Sequence, residues 1–454
     1  MQQSILIKNV SIVNEGQIII ADVFIQDNFI QKIGDLSRES KKEIEIIDGT
    51  DKYLFPGIID GQVHFREPGL THKGDLYSES KAAIAGGVTS FIDMPNTVPN
   101  VLTTEILNDK LRIASERSLA NYSFFMGVNG DNMDEVVKMD TSQFIGVSDD
   151  GLYFTKKGNL LADNPDTMEK LFSKCKSIIA IHSENENIIE ENEKVYRAKY
   201  GDNIPVECHP LIRNEEACYQ STKRAIELAK KHKARLHILH LSTEAETHLF
   251  QNDIPLKEKS ITTEVSVHHL WFSDKDYQRL GTLIKWNPAI KSEKDRSGLL
   301  RALLDDRIDI VTTDHAPHTL EEKQKPYFQS MSGAPMVQHS LNIMLELYKQ
   351  ELISLEKIAE KMCHNVASLY RIEKRGFIRE GYFADLTIVD LNAPWTVNKE
   401  NILYKCGWSP LEGMQFQTQV THTIVNGNLV YNNGQFNETV KGYALSFKNE
   451  PTEL

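Results

Sequence analysis

The sequence predicts an α/β protein: a (β/α)8 TIM-like barrel with a small β-sandwich domain built from both chain ends. Three observations predict it. From Tyr53 to about residue 320, eight short runs rich in β-branched residues alternate with connections, several of them helix-like. Stretches of a different style, alternating and separated by turns, sit at the two ends. No G-x-G-x-x-G follows any run, which removes the main support for an open nucleotide-binding sheet. At 454 residues the chain has room for two or three domains. The expected division is 1–54 plus 375–445 for the small composite domain and 55–374 for the barrel.

In chain order, "SILIKNVSIV", "QIIIADVFIQ", "FIQKIG" and "KEIEIIDG" read as short strands. The barrel runs follow: "GIIDGQVHF", "VTSFIDMP", "YSFFMGV", "QFIGVSDD", "SIIAIHSE", "RLHILHLS", "SITTEVSVHHL" and "DIVTTDHAPH". Between them "SESKAAIAGG" and "EACYQSTKRAIELAKKHK" have helical character. Short strands return in "ADLTIVDL", "HTIVNGNLVY" and "NGQFNE", placed to pair with the N-terminal ones. The final "PTEL" reads as a loose tail.

Composition narrows the function. A hydrophobic content of 40% and a charged content of 25% are ordinary for a soluble globular chain. The net charge of -13 argues against a nucleic-acid surface, which needs clustered Lys and Arg. It leaves room for a small anionic substrate, for which one or two local cations suffice. The five cysteines are scattered and never spaced C-x-x-C, so neither a disulfide framework nor a cysteine-built zinc site is expected. "MQQSILIKNVSIV" has no basic region followed by an apolar run, and no stretch is apolar enough to span a bilayer. A cytoplasmic protein with no membrane partner is the expectation.

Several runs end in His or Asp. In a (β/α)8 barrel the C-terminal strand ends form the active-site face, so such residues converge there. His64, Asp150, His182, His240 and Asp314 all come from these ends. Any one alone is more often a structural residue; five on separate strands suit zinc, and a cluster open to water suits hydrolysis. His237 and His240 are three apart and so face opposite sides of a strand, which favours His240, the nearer to the end. His268 and His269 read as loop or core. In "DGQVHFREPG", Gln62 and His64 share a face, as does Arg66 if the strand persists.

"HFREPG", "MPNT", "SDDG", "HLST", "NPAIK" and "TDHAPH" occur in the order seen in dihydroorotases of the cyclic amidohydrolase superfamily, which the chain resembles over most of its length. The resemblance implies a zinc barrel that interconverts N-carbamoyl-L-aspartate with L-dihydroorotate and water, in pyrimidine (UMP) biosynthesis. His64, His182, His240 and Asp314 fall on ligand positions, and Asp150 falls where a bridging aspartate stands, with Asp149 as the competing choice. Some relatives use a carboxylated lysine on that strand instead; the comparable place here is Gln143, which cannot be carboxylated.

By the same resemblance Asp314 is the general acid/base, Arg66, Asn96 and His318 hold the substrate carboxylate, and Asn287 contacts the ring or carbamoyl group. Taken alone, Arg66 would read as a surface ion pair and Asn96 as a turn residue. A Gly/Pro-hinged loop over the mouth is expected at "FQSMSGAPMVQ", and the resemblance suggests a homodimer. One departure stands out: Gln62 replaces the first histidine of a His-x-His pair, and an amide is a poorer zinc ligand than an imidazole. One zinc is therefore expected to bind firmly and a second weakly or not at all. Two other readings remain, a related hydantoinase- or allantoinase-like cyclic amidase and a non-catalytic homologue acting as a partner subunit.

Overall fold

The computed structural model describes residues 4–36, 44–140, 143–150, 152 and 165–448; Gly151 of "SDDG" and the "PTEL" end lie outside them. The N-terminal part supplies β1 (Ser4–Asn14), β2 (Gln17–Gln26), β3 (Phe29–Gly34), β4 (Glu45–Asp48) and β5 (Tyr53–Pro56). β6 (Ile58–Val63), β7 (Val88–Asp93), β8 (Asn121–Phe124), β9 (Met126–Gly127) and β10 (Gly146–Ser148) follow, then β11 (Ile178–Ile181), β12 (Leu236–Ile238), β13 (Ile261–Ser266) and β14 (Ile310–Thr312). The C-terminal part adds β15 (Leu386–Asp390), β16 (Trp395–Thr396), β17 (Gln415–Phe416), β18 (Gln419–Val425), β19 (Asn428–Asn432) and β20 (Gln435–Phe436).

β6 to β14 form the parallel barrel sheet. β6, β7 and β8 pair in parallel, and so do β9 to β14 in succession. Only Phe125 separates β8 from β9, so the two act as one strand with a different neighbour at each end. A parallel bridge between Val63 and His315 and a 2.8 Å bond from the His64 N–H to the His315 carbonyl tie the chain beyond β14 to β6. Each of the eight runs read from the sequence thus holds a strand.

Neighbouring residues on these strands sort onto opposite faces, as the pleat requires. Ile59, Ile92, Ile178, Leu239 and Ile310 belong to one buried cluster with Tyr370. Their neighbours Ile58, Phe91, Ile179, Ile238 and Val311 belong to a larger one that includes the helix residues Leu341 and Ile343. Local signals set the helix starts. Asp75 caps the helix Leu76–Ala85 by accepting from the Tyr77 and Ser78 N–H groups, and Asn214 caps Glu215–His232 through Ala217 N–H. Caps of this kind contribute about 1 kcal/mol each.

The chain ends build a separate sheet in the order β20-β19-β18-β15-β5-β1-β2-β3, with β4 also on β1. β4 pairs with Ile5–Lys8, while β5 pairs further along at Ser11 and Ile12. The ladder between β1 and β2 shifts register between Ile7 and Val10, and Asn9 there has φ 53°. The strands of the two chain ends therefore form one connected nine-stranded sheet, with Ile5, Ile7, Val23, Leu54, Leu386 and Ile424 in one buried cluster. No helix among the described residues is long and apolar enough to cross a membrane.

Candidate active site and metal centre

His64, Asp150, His182, His240 and Asp314 each lie one or two residues beyond the C-terminal end of β6, β10, β11, β12 and β14, and all are buried. They form two groups that share Asp150. His64, Asp150 and Asp314 offer ligand atoms within 4.8 Å of one another, and so do Asp150, His182 and His240. His64 Nε2 lies 3.2 Å from both Asp150 Oδ2 and Asp314 Oδ1. His182 Nδ1 lies 3.1 Å from His240 Nε2 and 3.9 Å from Asp150 Oδ1.

The donor chemistry fits a divalent cation. His64 Nδ1 donates to Asn96 Oδ1 at 2.8 Å, so a neutral His64 turns an Nε2 lone pair toward two carboxylate oxygens. Three lone pairs aimed at one another are satisfied only by a positive charge between them. Burial alone would push the His64 imidazole down, but the Asp150 charge and bonds to Asp150 and Asp314 raise it to about 10. In the second group His182 Nε2 donates to Glu184 Oε2 at 2.8 Å, which turns Nδ1 outward as a lone pair. Arg213 ion-pairs with that carboxylate, and with His182 it holds Glu184 well below the usual range despite burial. Carboxylate–imidazole pairs of this kind orient metal-binding histidines.

The two neighbouring aspartates divide the work. Asp150 is common to both groups; burial raises its pKa, but His64, His240 and His182 outweigh burial and keep it ionised. Asp149 accepts the His182 backbone N–H through Oδ1 at 3.1 Å, and burial pushes its carboxyl up to about 7. Gln143 is exposed, bonds Asp140 at 2.8 Å and sits before β10, at the far end from the site. The carboxylated-lysine comparison therefore has no counterpart at that residue.

Gln62 does share a face with His64, yet it offers its amide as a donor. Gln62 Nε2 donates to Asp150 Oδ2 at 2.9 Å, and Gln62 Oε1 is buried without a partner among the described residues. Arg66 reaches the site by another route than strand alternation. β6 ends at Val63, and Arg66 sits in a turn at φ 68°. Its Nε donates to the Pro317 carbonyl at 3.1 Å, its Nη2 lies 3.1 Å from His318 Nε2, and no carboxylate among the described residues forms an ion pair with it. His240 and Asp314 also have positive φ, 33° and 46°. All three are non-glycine residues in the left-handed region, which concentrates at functional sites.

That backbone also resolves the two histidines of "HILH". His237, inside β12, bonds Glu264 Oε2 at 3.0 Å and Thr262 Oγ1 at 2.9 Å. Glu264 Oε1 accepts from Thr312 Oγ1 at 2.8 Å, tying the strands together beneath the site. His240 lies past the strand end, so alternation says nothing of its direction; the positive φ turns it toward His182. His268 and His269, read from the sequence as loop or core, are buried beside His240 on the short helix Val267–Trp271. His268 stacks on Trp286, with ring centroids 4.1 Å apart, and His269 Nε2 donates to the Pro288 carbonyl at 3.2 Å. Asn287, between those two partners in sequence, has an Oδ1 with no partner among the described residues.

The expected mouth loop is bonded to Lys285 and Lys323. Lys285 Nζ donates to the carbonyls of Tyr327 and Ser330 at 2.7 and 2.6 Å, and Lys323 Nζ to those of Lys285, Met331 and Gly333 at 3.0, 2.8 and 2.7 Å. Gly333, at φ 115°, packs where a Cβ would stand 2.7 Å from the Ala316 carbonyl oxygen. These bonds tie the segment to two buried lysines beside "TDHAPH". Sequence reasoning missed Glu184, Arg213, Lys285 and Lys323. Only Glu184 had a local signal, a carboxylate two residues beyond a strand-end histidine.

Comparison with known proteins adds an independent line. The model of the "Amidohydrolase family" matches residues 53–430. A dihydroorotase of Pyrococcus abyssi is 31% identical over 417 residues, covering 91% of this chain and 92% of the relative. A dihydroorotase of Methanosarcina acetivorans is 30% identical over 436 residues, 94% of this chain and 91% of the relative. Among solved structures, the L-hydantoinase (dihydropyrimidinase) from Arthrobacter aurescens superposes with a TM-score of 0.90 at 25% identity, covering 98% of this chain and all of that one. A dihydropyrimidinase from Brevibacillus agri superposes at 0.86 over 99% of this chain and all of that one, at 23% identity, a likeness of fold.

Proposed function

We propose a function from one premise: the chain belongs to the amidohydrolase family and is a cyclic amide hydrolase. It acts as a zinc-dependent dihydroorotase, closing N-carbamoyl-L-aspartate to L-dihydroorotate and water and running the same steps in reverse, within pyrimidine biosynthesis. The observation that carries the choice of substrate is Arg66. It is a buried guanidinium with His318 beside it and no ion pair to a carboxylate among the described residues, and a substrate carboxylate would meet it through a forked ion pair. A neutral hydantoin or dihydropyrimidine ring has no use for that charge.

Zinc bound by Asp150, His182 and His240, or by His64, Asp150 and Asp314, would supply hydroxide near neutral pH and polarise the ring amide carbonyl. The chain's own groups do the rest. Arg66 and His318 hold the substrate carboxylate, joined by the Asn96 amide donors, since Asn96 Oδ1 is already used by His64. Asn287, whose Oδ1 has no partner among the described residues, accepts from the ring or carbamoyl N–H groups. Asp314, pushed up to about 6 by burial, takes the proton of the attacking water and returns it to the leaving ring nitrogen. Ring closure reverses these transfers.

The His182–His240 site binds zinc firmly because Glu184 and Arg213 orient its imidazole. The His64 site is weaker, because Gln62 donates to Asp150 where an imidazole would ligate. The test is turnover of L-dihydroorotate, hydantoin and allantoin by the protein as purified and after zinc addition, with metal content measured alongside. L-dihydroorotate is expected to be the preferred substrate. Preference for hydantoin would move the chain to its structural neighbours' chemistry, preference for allantoin to that of another cyclic amidase, and stoichiometric zinc with no turnover of L-dihydroorotate in either direction would sink the dihydroorotase reading.

A further inference from the structure

We propose that Lys73 is a positioning residue for substrate recognition, holding the His318 imidazole in the form that donates from Nε2 and adding a second cation behind the carboxylate pocket. The proposal rests on the dihydroorotase reading above. Lys73 Nζ lies 3.0 Å from His318 Nδ1. An ammonium has three donors and no acceptor, so Nδ1 must present its lone pair and the ring proton must sit on Nε2. Nε2 then donates to the Ser332 carbonyl oxygen at 3.0 Å.

That assignment gives the Arg66 contact a meaning. Arg66 Nη2 and His318 Nε2 stand 3.1 Å apart, and both are donors. Neither satisfies the other: an anionic oxygen beside them accepts from Arg66 Nη2 and shares the one Nε2–H with the Ser332 carbonyl. With the opposite tautomer Arg66 would donate to a lone pair on Nε2, and the pair would be complete without a substrate. Lys73 therefore keeps the pocket open to an acceptor.

The charges support the same reading. Lys73 is only 6% exposed and pairs with Glu322 Oε1 at 3.0 Å. Glu322 is itself fixed by accepting the Thr319 N–H through Oε2 at 3.0 Å. Lys73 is thus paired with Glu322, while Arg66 has no ion pair among the described residues and keeps its charge for a substrate carboxylate. The contact also joins two loops across the mouth, since Lys73 follows β6 and His318 follows β14.

The experiment compares KM for L-dihydroorotate with the inhibition constant of its methyl ester, whose ring is the same and whose carboxylate is masked. Lys73→Met is expected to raise KM about tenfold while the ester constant and kcat stay within about twofold. Loosened structure alone would weaken acid and ester alike, and that result, or an unchanged KM, overturns the proposal. Should the variant not fold, nitrogen NMR of the wild-type imidazoles decides, with His318 assigned by its loss in His318→Asn. An Nε2-protonated His318 is expected; an Nδ1-protonated one overturns the proposal. A wild-type protein that never turns over L-dihydroorotate refutes the dihydroorotase reading instead, and the NMR result still judges Lys73.

Discussion

Gln62 Nε2 donates to Asp150 Oδ2 over 2.9 Å, and that same oxygen faces His64 Nε2 at 3.2 Å. The amide thus spends its donor on the one carboxylate that both candidate metal groups share, and its own oxygen has no partner among the described residues. Restoring an imidazole should convert a spectator into a ligand. After zinc loading and gel filtration, the wild type is expected to hold about one zinc per chain and Gln62→His about two. Elemental analysis checks it, and equal metal content in the two proteins refutes the role given to Gln62.

Asp314 carries the proton. Asp314→Asn keeps the size and the tolerance of positive φ but cannot take up a proton. Turnover should fall by about a thousandfold or more, the scale of general acid–base catalysis, with the unfolding temperature and circular dichroism unchanged. Near-normal turnover would remove Asp314 from the mechanism.

Glu184 acts on metal affinity through His182. Glu184→Gln retains an oxygen for His182 Nε2 but loses the charge that Arg213 pairs with. Zinc affinity, read by competition with a chromophoric chelator, should drop about 10–100-fold. An unchanged affinity would mean that His182 needs no such support.

Lys285 should leave a mark on stability. Burial, then the Arg213 charge, lowers its pKa from the ordinary 10.5 to about 7. Between those values the unfolded chain holds a proton that the folded protein has released. Unfolding then takes up a proton, so stability rises with pH through that window. Lys285→Met lacks the contribution. Its deficit in urea unfolding relative to wild type is therefore expected to be larger at pH 9 than at pH 7, and equal deficits at both would contradict the assignment.

Much of this was legible in the sequence where strand alternation held. Each of the eight β-branched runs contains a strand, and the residues singled out at their ends stand together. Legibility stopped where the strands did. The reading that allowed only one of His237 and His240 to point inward assumed a strand that has already ended at Ile238. Arg66 was placed by extending β6 past Val63, and it reaches the pocket instead through a left-handed turn. Choosing between Asp149 and Asp150 depended on two residues beyond a three-residue strand, where pattern carries no direction. Long-range partners such as Lys73 with His318, or Lys323 with the carbonyls of its own loop, leave no periodic trace at all.

The left-handed backbone at Arg66, His240 and Asp314 has a practical consequence for anyone who mutates this protein. The native Arg66 already bears the left-handed cost that any Cβ brings, of order 1 kcal/mol. Alanine there keeps that cost and deletes only the guanidinium, whereas at Asp314, whose short polar side chain suits the left-handed region, alanine adds to it. Glycine relieves the strain at all three positions, so a glycine variant can be inactive and yet more stable than the wild type. Paired alanine and glycine variants therefore separate loss of function from change of fold stability.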